Sequence, residues 1–373
     1  MKFFLQSLKD LTIINKFAII ILFKQMENIS KNKQNLSEFE LIRHLTDKIK
    51  IRNKETIYGI GDDAAVIEYP DKQIVVTNDL LIEGIHFDLA YVPLKHLGYK
   101  AGIVNFSDVY AMNAIPKQLI ISIAVSNRFS LSAIEEFYSG LRLACDNYQV
   151  DLVGGDTSAS VKGMFLSLTA IGSAPKEQLV YRKNAKINDL ICVTGDLGAA
   201  YMGLQLLKRE NELFQADPNL QPELSGYDYI LQRQLKPEAR PDIIKSLNTE
   251  KILPSAMIDI SDGLSSEIIH ICSNSNVGCK IFEDKIPIAH ETAKMAKELG
   301  IDPLICALDG GEDYELLFTA KQKDYDKLKS QSGINIIGHI TNKSDGTSLI
   351  SKNGTIIPLQ AKGWNAFSNK DAN

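Results

Sequence analysis

Apolar and polar positions follow two rhythms along this chain, one of period near 3.6 and one of short apolar runs. Ser37-Glu38-Phe39-Glu40 reads as a capping box, and Leu41, Ile42, Leu45 and Ile49 share one helical face behind it. Short apolar runs at 64–67 and 74–77 predict strands. Residues 94–112 carry helical spacing, and 117–125 is strand-like again. A second capping box, Ser132 to Glu135, predicts a helix reaching about Tyr148. Strands follow near Leu152 and over 164–171. Because strands come partly in runs, the pattern predicts a mixed α/β region and not a strict βαβ series.

A polar, turn-rich stretch at 173–186 reads as a domain boundary, dividing the chain into 26–175 and 176–373. Beyond it the pattern predicts a strand over 190–194, a helix from Ala199, a polar excursion through 210–227 and a helix over 240–247. A strand at 256–260 runs into a helix from Leu264, and later strands lie near Leu316 and Ile334. Asn353-Gly354 between two short runs predicts a two-residue hairpin turn.

The first 25 residues stand apart. Residues 11–23 are apolar except for Thr12, Asn15 and Lys16, too few to span a bilayer. Basic flanks suit a signal-peptide core, but no small-residue cleavage site follows, and Met26 opens an ordinary polar segment. The expectation is a start placed too early, with 1–25 outside the working protein. The chain of 373 residues as a whole has an ordinary soluble composition, and its net charge of −5 provides no basic field for nucleic acid or anionic lipid. Neither a nucleic-acid nor a membrane partner is expected. The five cysteines are scattered with no C-x-x-C pair, as in a cytoplasmic protein with reduced thiols.

The chemistry lies in acidic residues placed where strands end. Asp62 and Asp63 follow Gly59-Ile60-Gly61, Asp79 closes Val75-Val76-Thr77-Asn78, Asp108 sits on the predicted helix, and Asp156 follows Gly154-Gly155. Asp259 and Asp262 bracket Ile260-Ser261. Taken singly, each is a turn former or helix cap. Converged, they would repel one another unless cations sat between them, and hard oxygen ligands select Mg²⁺ or Mn²⁺ over zinc. Neighbouring glycines permit close approach of phosphate or metal. Gly59-x-Gly61-x-x-Ala64 also matches a loose dinucleotide fingerprint, but two aspartates there would face a pyrophosphate. No G-x-x-x-x-G-K-[ST] occurs, and no H-R-D loop, so ATP use requires a less common fold.

Gly-Ile-Gly-Asp-Asp, Thr-Asn-Asp…Gly-Ile-His-Phe, Asn-Phe-Ser-Asp-Val-Tyr-Ala-Met, Gly-Gly-Asp-Thr, Ile-Asp-Ile-Ser-Asp-Gly-Leu and Gly-Gly-Glu-Asp-Tyr-Glu-Leu occur in that order over about 39–367. In this the chain resembles the thiamine-monophosphate kinases, in the superfamily of aminoimidazole ribonucleotide synthetase and selenophosphate synthetase. The resemblance implies a two-domain α/β fold in which the N-terminal domain dimerises through a shared β-barrel. It implies several Mg²⁺ ions held by Asp63, Thr77, Asn78, Asp79, Asp108, Asp156, Asp259 and Asp262. It further implies ATP contacts at Tyr138, Gly155, Asp156, Arg182 and Ser261, and thiamine monophosphate held by His86, Glu312 and Trp364. Arg182 suits its role, since a guanidinium grips phosphate bidentately. Asn78 replaces the usual Ser or Thr, and Asn113 the usual Gly; Asn tolerates a left-handed backbone.

The acceptor implied is a phosphate monoester, already anionic, so direct transfer needs no general base. Rivals are another ATP enzyme of the superfamily and a silent nucleotide-binding regulator. Selenophosphate synthesis is disfavoured because no cysteine nucleophile lies near Gly59.

Overall fold

The computed structural model describes residues 56–58, 62–63, 65–69 and 72–361. The segment 1–25, the capping box at Ser37, Gly59, Gly61 and Trp364 lie outside the described residues.

The first lobe is a six-stranded sheet backed by two helices. Its strands are β1 (Thr56–Tyr58), β2 (Ala65–Tyr69), β3 (Lys72–Ile82), β4 (Ile115–Val125), β5 (Asp151–Ala159) and β6 (Met164–Ala174), in the order β1-β2-β3-β6-β4-β5. β3, β6 and β4 form the antiparallel centre, and β5 joins β4 in parallel at the edge. The two helices are α1 (Leu94–Ala111) and α2 (Leu131–Tyr148). The period-2 alternation is clean in β4 and β6: Leu119, Ile121, Ile123, Leu166 and Leu168 are buried toward the helices. On the opposite face Leu80, Ile120 and Phe165 are exposed. β5 is exposed along its whole length. Among the described residues the sheet is open, and no closed barrel forms.

α2 begins one residue ahead of the predicted capping box. Ser130 caps it, its Oγ accepting from the Ala133 backbone N–H at 3.2 Å, while the hydroxyls of Ser130 and Ser132 bond at 2.8 Å. The helix therefore starts at Leu131, and Ser132 lies inside its first turn. The other departure is the C-terminal hairpin. Ser351 N–H donates to Thr355 O and Gly354 N–H to Ser351 O, so three residues turn the chain where the sequence pattern predicts two. Asn113 is left-handed (φ 54°), and its side chain donates to Gln178 O at 2.7 Å. The turn that a glycine would make is thus kept.

The second lobe is a seven-stranded sheet in the order β13-β12-β9-β11-β7-β10-β8. The strands are β7 (Leu190–Thr194), β8 (Ala256–Asp259), β9 (Gly278–Phe282), β10 (Leu316–Ala320), β11 (Ile334–Thr341), β12 (Thr347–Ile350) and β13 (Ile356–Pro358). Helices α3 (Ala199–Ala216), α4 (Asp228–Leu235), α5 (Pro241–Thr249), α6 (Leu264–Ser275), α7 (His290–Glu298), α8 (Pro303–Asp309) and α9 (Tyr325–Lys329) complete it. α3 takes up part of the stretch that reads as a polar excursion, because Leu206, Leu207 and Glu210 are buried on one face. One buried apolar cluster runs from Val75 and Phe106 in the first lobe to Met257 and Phe318 in the second. No helix among the described residues is long and apolar enough to cross a membrane.

α1 is buried at 13 of its 18 positions, wedged between the first sheet, α2 and the second lobe. The wedge fits because glycines bring the helices together: a Cβ at Gly140 would stand 1.8 Å from Lys95 O, and one at Gly98 would stand 2.0 Å from Phe137 O. Backbone atoms cannot yield as side-chain tips do. Gly140→Ala is expected to cost about 1–3 kcal/mol by forcing α1 from α2, measured as a lower urea midpoint with an unchanged slope. An unchanged midpoint would mean that the helices separate freely.

Candidate active site

Four carboxylates from both lobes meet around α1. Asp79 is at the far end of β3's buried row, two residues beyond Thr77 and on the same face. Thr77 Oγ1 donates to Asp108 Oδ2 at 2.5 Å, so β3 and α1 are tied at the point where both present acids. The neighbouring helix residue, Ser107, donates to Asp259 Oδ2 at 2.6 Å, tying α1 to the end of β8. Asp63 completes the group: carboxylate oxygens of Asp63, Asp108 and Asp259 all lie within 4.8 Å of one another.

The electrostatics are those of charges short of counter-ions. Burial, then the charge of Asp259, pushes Asp79 up to about 7. Burial drives Asp108 well above the carboxylate range, with Asp79 and Asp259 adding to it. Asp259 is also raised by burial, against the opposing bond from Ser107. Asp63 Oδ2 and Asp79 Oδ2 are buried with no hydrogen-bond partner. Oxygen-only donors, mutual repulsion and orphaned buried oxygens together fit a hard divalent cation.

Arg182, on the segment between the lobes, anchors the rim. Its guanidinium pairs with Asp63, its backbone N–H donates to both Asp62 oxygens at 3.1 Å, and its Nε lies 3.6 Å from Asp62 Oδ1. Burial raises Asp62 to about 6 even against the pull of Arg182. Across the cluster, the Asp262 N–H donates to Glu267 Oε1 at 2.9 Å. Glu267, in the first turn of α6, is raised well above its usual range by burial and by Asp262.

The 310–314 loop folds over this strand end. Glu312 N–H donates to Ser261 O at 2.7 Å and Tyr314 N–H to Ile260 O at 2.9 Å. Glu312 and Tyr314 both have positive φ, 59° and 52°. Backbone strain of this kind persists only where its surroundings hold it, and it concentrates at functional sites. A buried ionic group holds it here: Glu315 accepts from Arg233 at 2.8 Å and from Arg240 at 2.5 Å, and Arg233 also donates to Asp196 O at 3.0 Å. Across from the loop, Ile82 N–H donates to His86 Nδ1 at 3.0 Å. Burial lowers the His86 pKa, while the charge of Glu312 pulls the other way, placing these two residues within electrostatic reach.

The remaining candidates are placed otherwise. Asn78 points to the open face of the sheet, where its amide donates to Leu168 O and Thr169 Oγ1 at 2.8 Å. One step along a strand turns a side chain to the opposite face, so Asn78 cannot share the direction of Thr77 and Asp79. Asp156 is exposed on edge strand β5, opposite Ser122 of β4, three strands from β3 and in the open-face row. Gly155 lies beside it, and a Cβ there would stand 2.1 Å from Ile121 O, so strand packing alone demands the glycine. Tyr138 packs edge-on against Phe137 at 5.6 Å on α2. Ser261 is exposed, with its carbonyl taken by Glu312. Ser107, Glu267 and Tyr314 join the site without having been singled out. Ser107 stood inside the quoted Asn-Phe-Ser-Asp run, whereas Glu267 reads in sequence as an ordinary acid at a helix start.

Comparison with known proteins bears on the chemistry. The family described as AIR synthase related protein, N-terminal domain, matches residues 61–174, and its C-terminal domain matches 186–350. The thiamine-monophosphate kinase of Bacillus subtilis (strain 168) is 34% identical over 343 residues, covering 89% of this chain and 100% of that protein. That of Aquifex aeolicus (strain VF5) is 34% identical over 334 residues, covering 90% and 99%. The chain belongs to the thiamine-monophosphate kinase family. Among solved structures, AaThiL complexed with AMPPCP and TMP matches with a TM-score of 0.76 at 32% identity, over 90% of this chain and 98% of that one. The two-lobed architecture described above is therefore that of the family.

If the four acids form one cation site, neutralising one changes two quantities in opposite directions. Asp108→Asn should raise the melting temperature in chelator, because a buried repulsion is relieved while Thr77 keeps an acceptor. The same variant should lose most of the stabilisation that Mg²⁺ confers on the parent protein. Scanning calorimetry with and without Mg²⁺ checks both, and equal Mg²⁺ stabilisation of the two proteins would exclude Asp108 as a ligand.

Proposed function

We propose that the protein transfers the γ-phosphoryl group of ATP to thiamine monophosphate, giving thiamine diphosphate and ADP. The observation that carries this reading is the meeting of Asp63, Asp79, Asp108 and Asp259 from both lobes in a chain of this family. The relative solved with AMPPCP and TMP supports the same pair of substrates.

Asp63, Asp79, Asp108 and Asp259, with Thr77 and Asp262 beside them, would hold Mg²⁺. Bound there, Mg²⁺ would neutralise charge between two polyanions and favour their alignment. The chain's own part is positional. Arg182, held by Asp62 and Asp63, offers guanidinium N–H groups to phosphate oxygens. Ser261 stands exposed just past the end of β8. A phosphate oxygen of the acceptor forms the new bond to phosphorus as the bond to ADP breaks, and no proton has to be removed first. His86 and Glu312 take the thiamine end. Trp364, which lies outside the described residues, is proposed from its indole chemistry alone as a partner for the thiazolium cation.

The open face of the first sheet belongs, in this reading, to a second copy, with the two sheets closing into the dimer's β-barrel. Leu80, Ile120 and Phe165 on that face and the fully exposed β5 support it. Asn78, Gly155 and Asp156 would then serve Mg²⁺ and the nucleotide only in the assembled dimer, whereas Tyr138, on α2 behind the other face of the sheet, would not be completed by it. Each copy would comprise residues 26–175 as its ATP- and Mg²⁺-binding dimerisation half and 176–373 as the half completing the ATP and substrate site.

The direct test is ADP and thiamine diphosphate formation from ATP and thiamine monophosphate with and without Mg²⁺; no thiamine diphosphate under saturating Mg-ATP would overturn the reading. Asp79→Asn should lower kcat about 100-fold or more, as removing a preorganised electrostatic group does; near-normal turnover at saturating Mg²⁺ would remove it from the ligand set. Trp364→Ala should raise KM for thiamine monophosphate several-fold with KM for ATP nearly unchanged, and Trp364→Tyr should restore most of it. A fall in thermal stability with both KM values intact would make Trp364 an anchor.

A further inference from the structure

Lys100 is an unexpected residue for its position. It lies on α1 between Tyr99 and Ala101, which are almost wholly buried, and its own side chain is only 11% exposed. A buried ammonium is costly unless it is paired and hydrogen-bonded. Its partners come from the other lobe. Lys100 Nζ stands 2.8 Å from Glu312 Oε1 and donates to Gln234 O at 3.2 Å. Gln234, on α4, donates through Nε2 to Glu312 Oε2 at 3.0 Å. Each oxygen of the Glu312 carboxylate thus receives one donor, from two different elements, while the Glu312 side chain stays 31% exposed.

We infer that Lys100 and Gln234 are positioning residues that hold the Glu312 carboxylate in one orientation for the substrate; this rests on the role given to Glu312 above. Glu312 needs such support because its backbone is left-handed and it lies on a loop, where no helix or strand fixes the side chain's direction. A long side chain on that backbone would otherwise sample several rotamers. With two of about four lone-pair directions used, the carboxylate keeps two for N–H donors of a bound ligand, such as the amino group of an aminopyrimidine. Lys100 also lies seven residues before Ser107, on the same face of α1 and about 10 Å along it. One helix face therefore sets both the carboxylate cluster, through Asp259, and the orientation of Glu312. The reacting phosphate and the ring end of one substrate are held at a common spacing.

The test is a double-mutant cycle. Lys100→Met should raise KM for thiamine monophosphate about tenfold and leave KM for ATP within about twofold; Lys100→Arg should recover most of that loss. Gln234→Leu should shift KM the same way and less. In the decisive arm, Lys100→Met made on Glu312→Gln should add little to the KM of Glu312→Gln alone, because a positioning residue acts through its partner. Additive effects on KM, or a Lys100→Met variant that loses melting temperature with both KM values intact, would overturn the inference. If the parent protein does not use thiamine monophosphate, the proposed function fails. The same cycle read by urea denaturation then decides the pairing, and additive losses of stability there would overturn it.

Discussion

Carboxylates brought together out of water set the terms for this structure. Asp63, Asp108 and Asp259 are drawn to within a few ångströms by two sheets and a helix, with Asp79 in electrostatic reach of Asp108 and Asp259, and each is pushed toward protonation or left with an orphaned oxygen. Such a group is a net cost to the fold in the absence of cations. The surrounding structure tolerates it by strong local attachment. Thr77 and Ser107 each give a short bond to one acid, Arg182 closes the rim, and a continuous apolar core joins the lobes behind them.

The element that makes this possible is α1. Its glycine contact with α2 lets it sit deep, and the depth lets consecutive residues serve different lobes: Asp108 turns to β3 while Ser107 turns to β8. Two turns earlier, Lys100 reaches the strained loop of the second lobe. A helix exposed on one side could not do this, because only a surface buried all round gives every direction a protein neighbour. The second lobe contributes rigidity in return, through the Arg233, Arg240 and Glu315 group behind the 310–314 loop.

The first sheet has one face used and one open. Residues alternate between them, so Thr77 and Asp79 look toward α1 while Asn78 looks away. This single alternation separates the expected ligands into two sets. Asp156 and Gly155, on the exposed edge strand, fall with Asn78 and not with the carboxylates. Within one chain the site is thus built from the buried face alone.

The order of the elements and the identity of the acids are legible along the chain before any folding is considered. α1, β4, β7 and α6 lie close to where periodicity puts them, because each buries a face with a regular repeat; Asp259 stands at a strand end as expected, whereas Asp79 lies inside β3, which stays paired with β6 as far as Ile82. Local signals failed where two were near each other: Ser130 won the cap from Ser132, and Ser351 and Thr355 set a wider turn than Asn353-Gly354 alone predicts. Which acids meet is settled by packing in three dimensions. That depends on register, on strand face and on the burial of a helix between lobes, none of which a linear pattern encodes. The same holds for Lys100 and Glu312, residues 212 positions apart whose pairing exists only because α1 touches both halves.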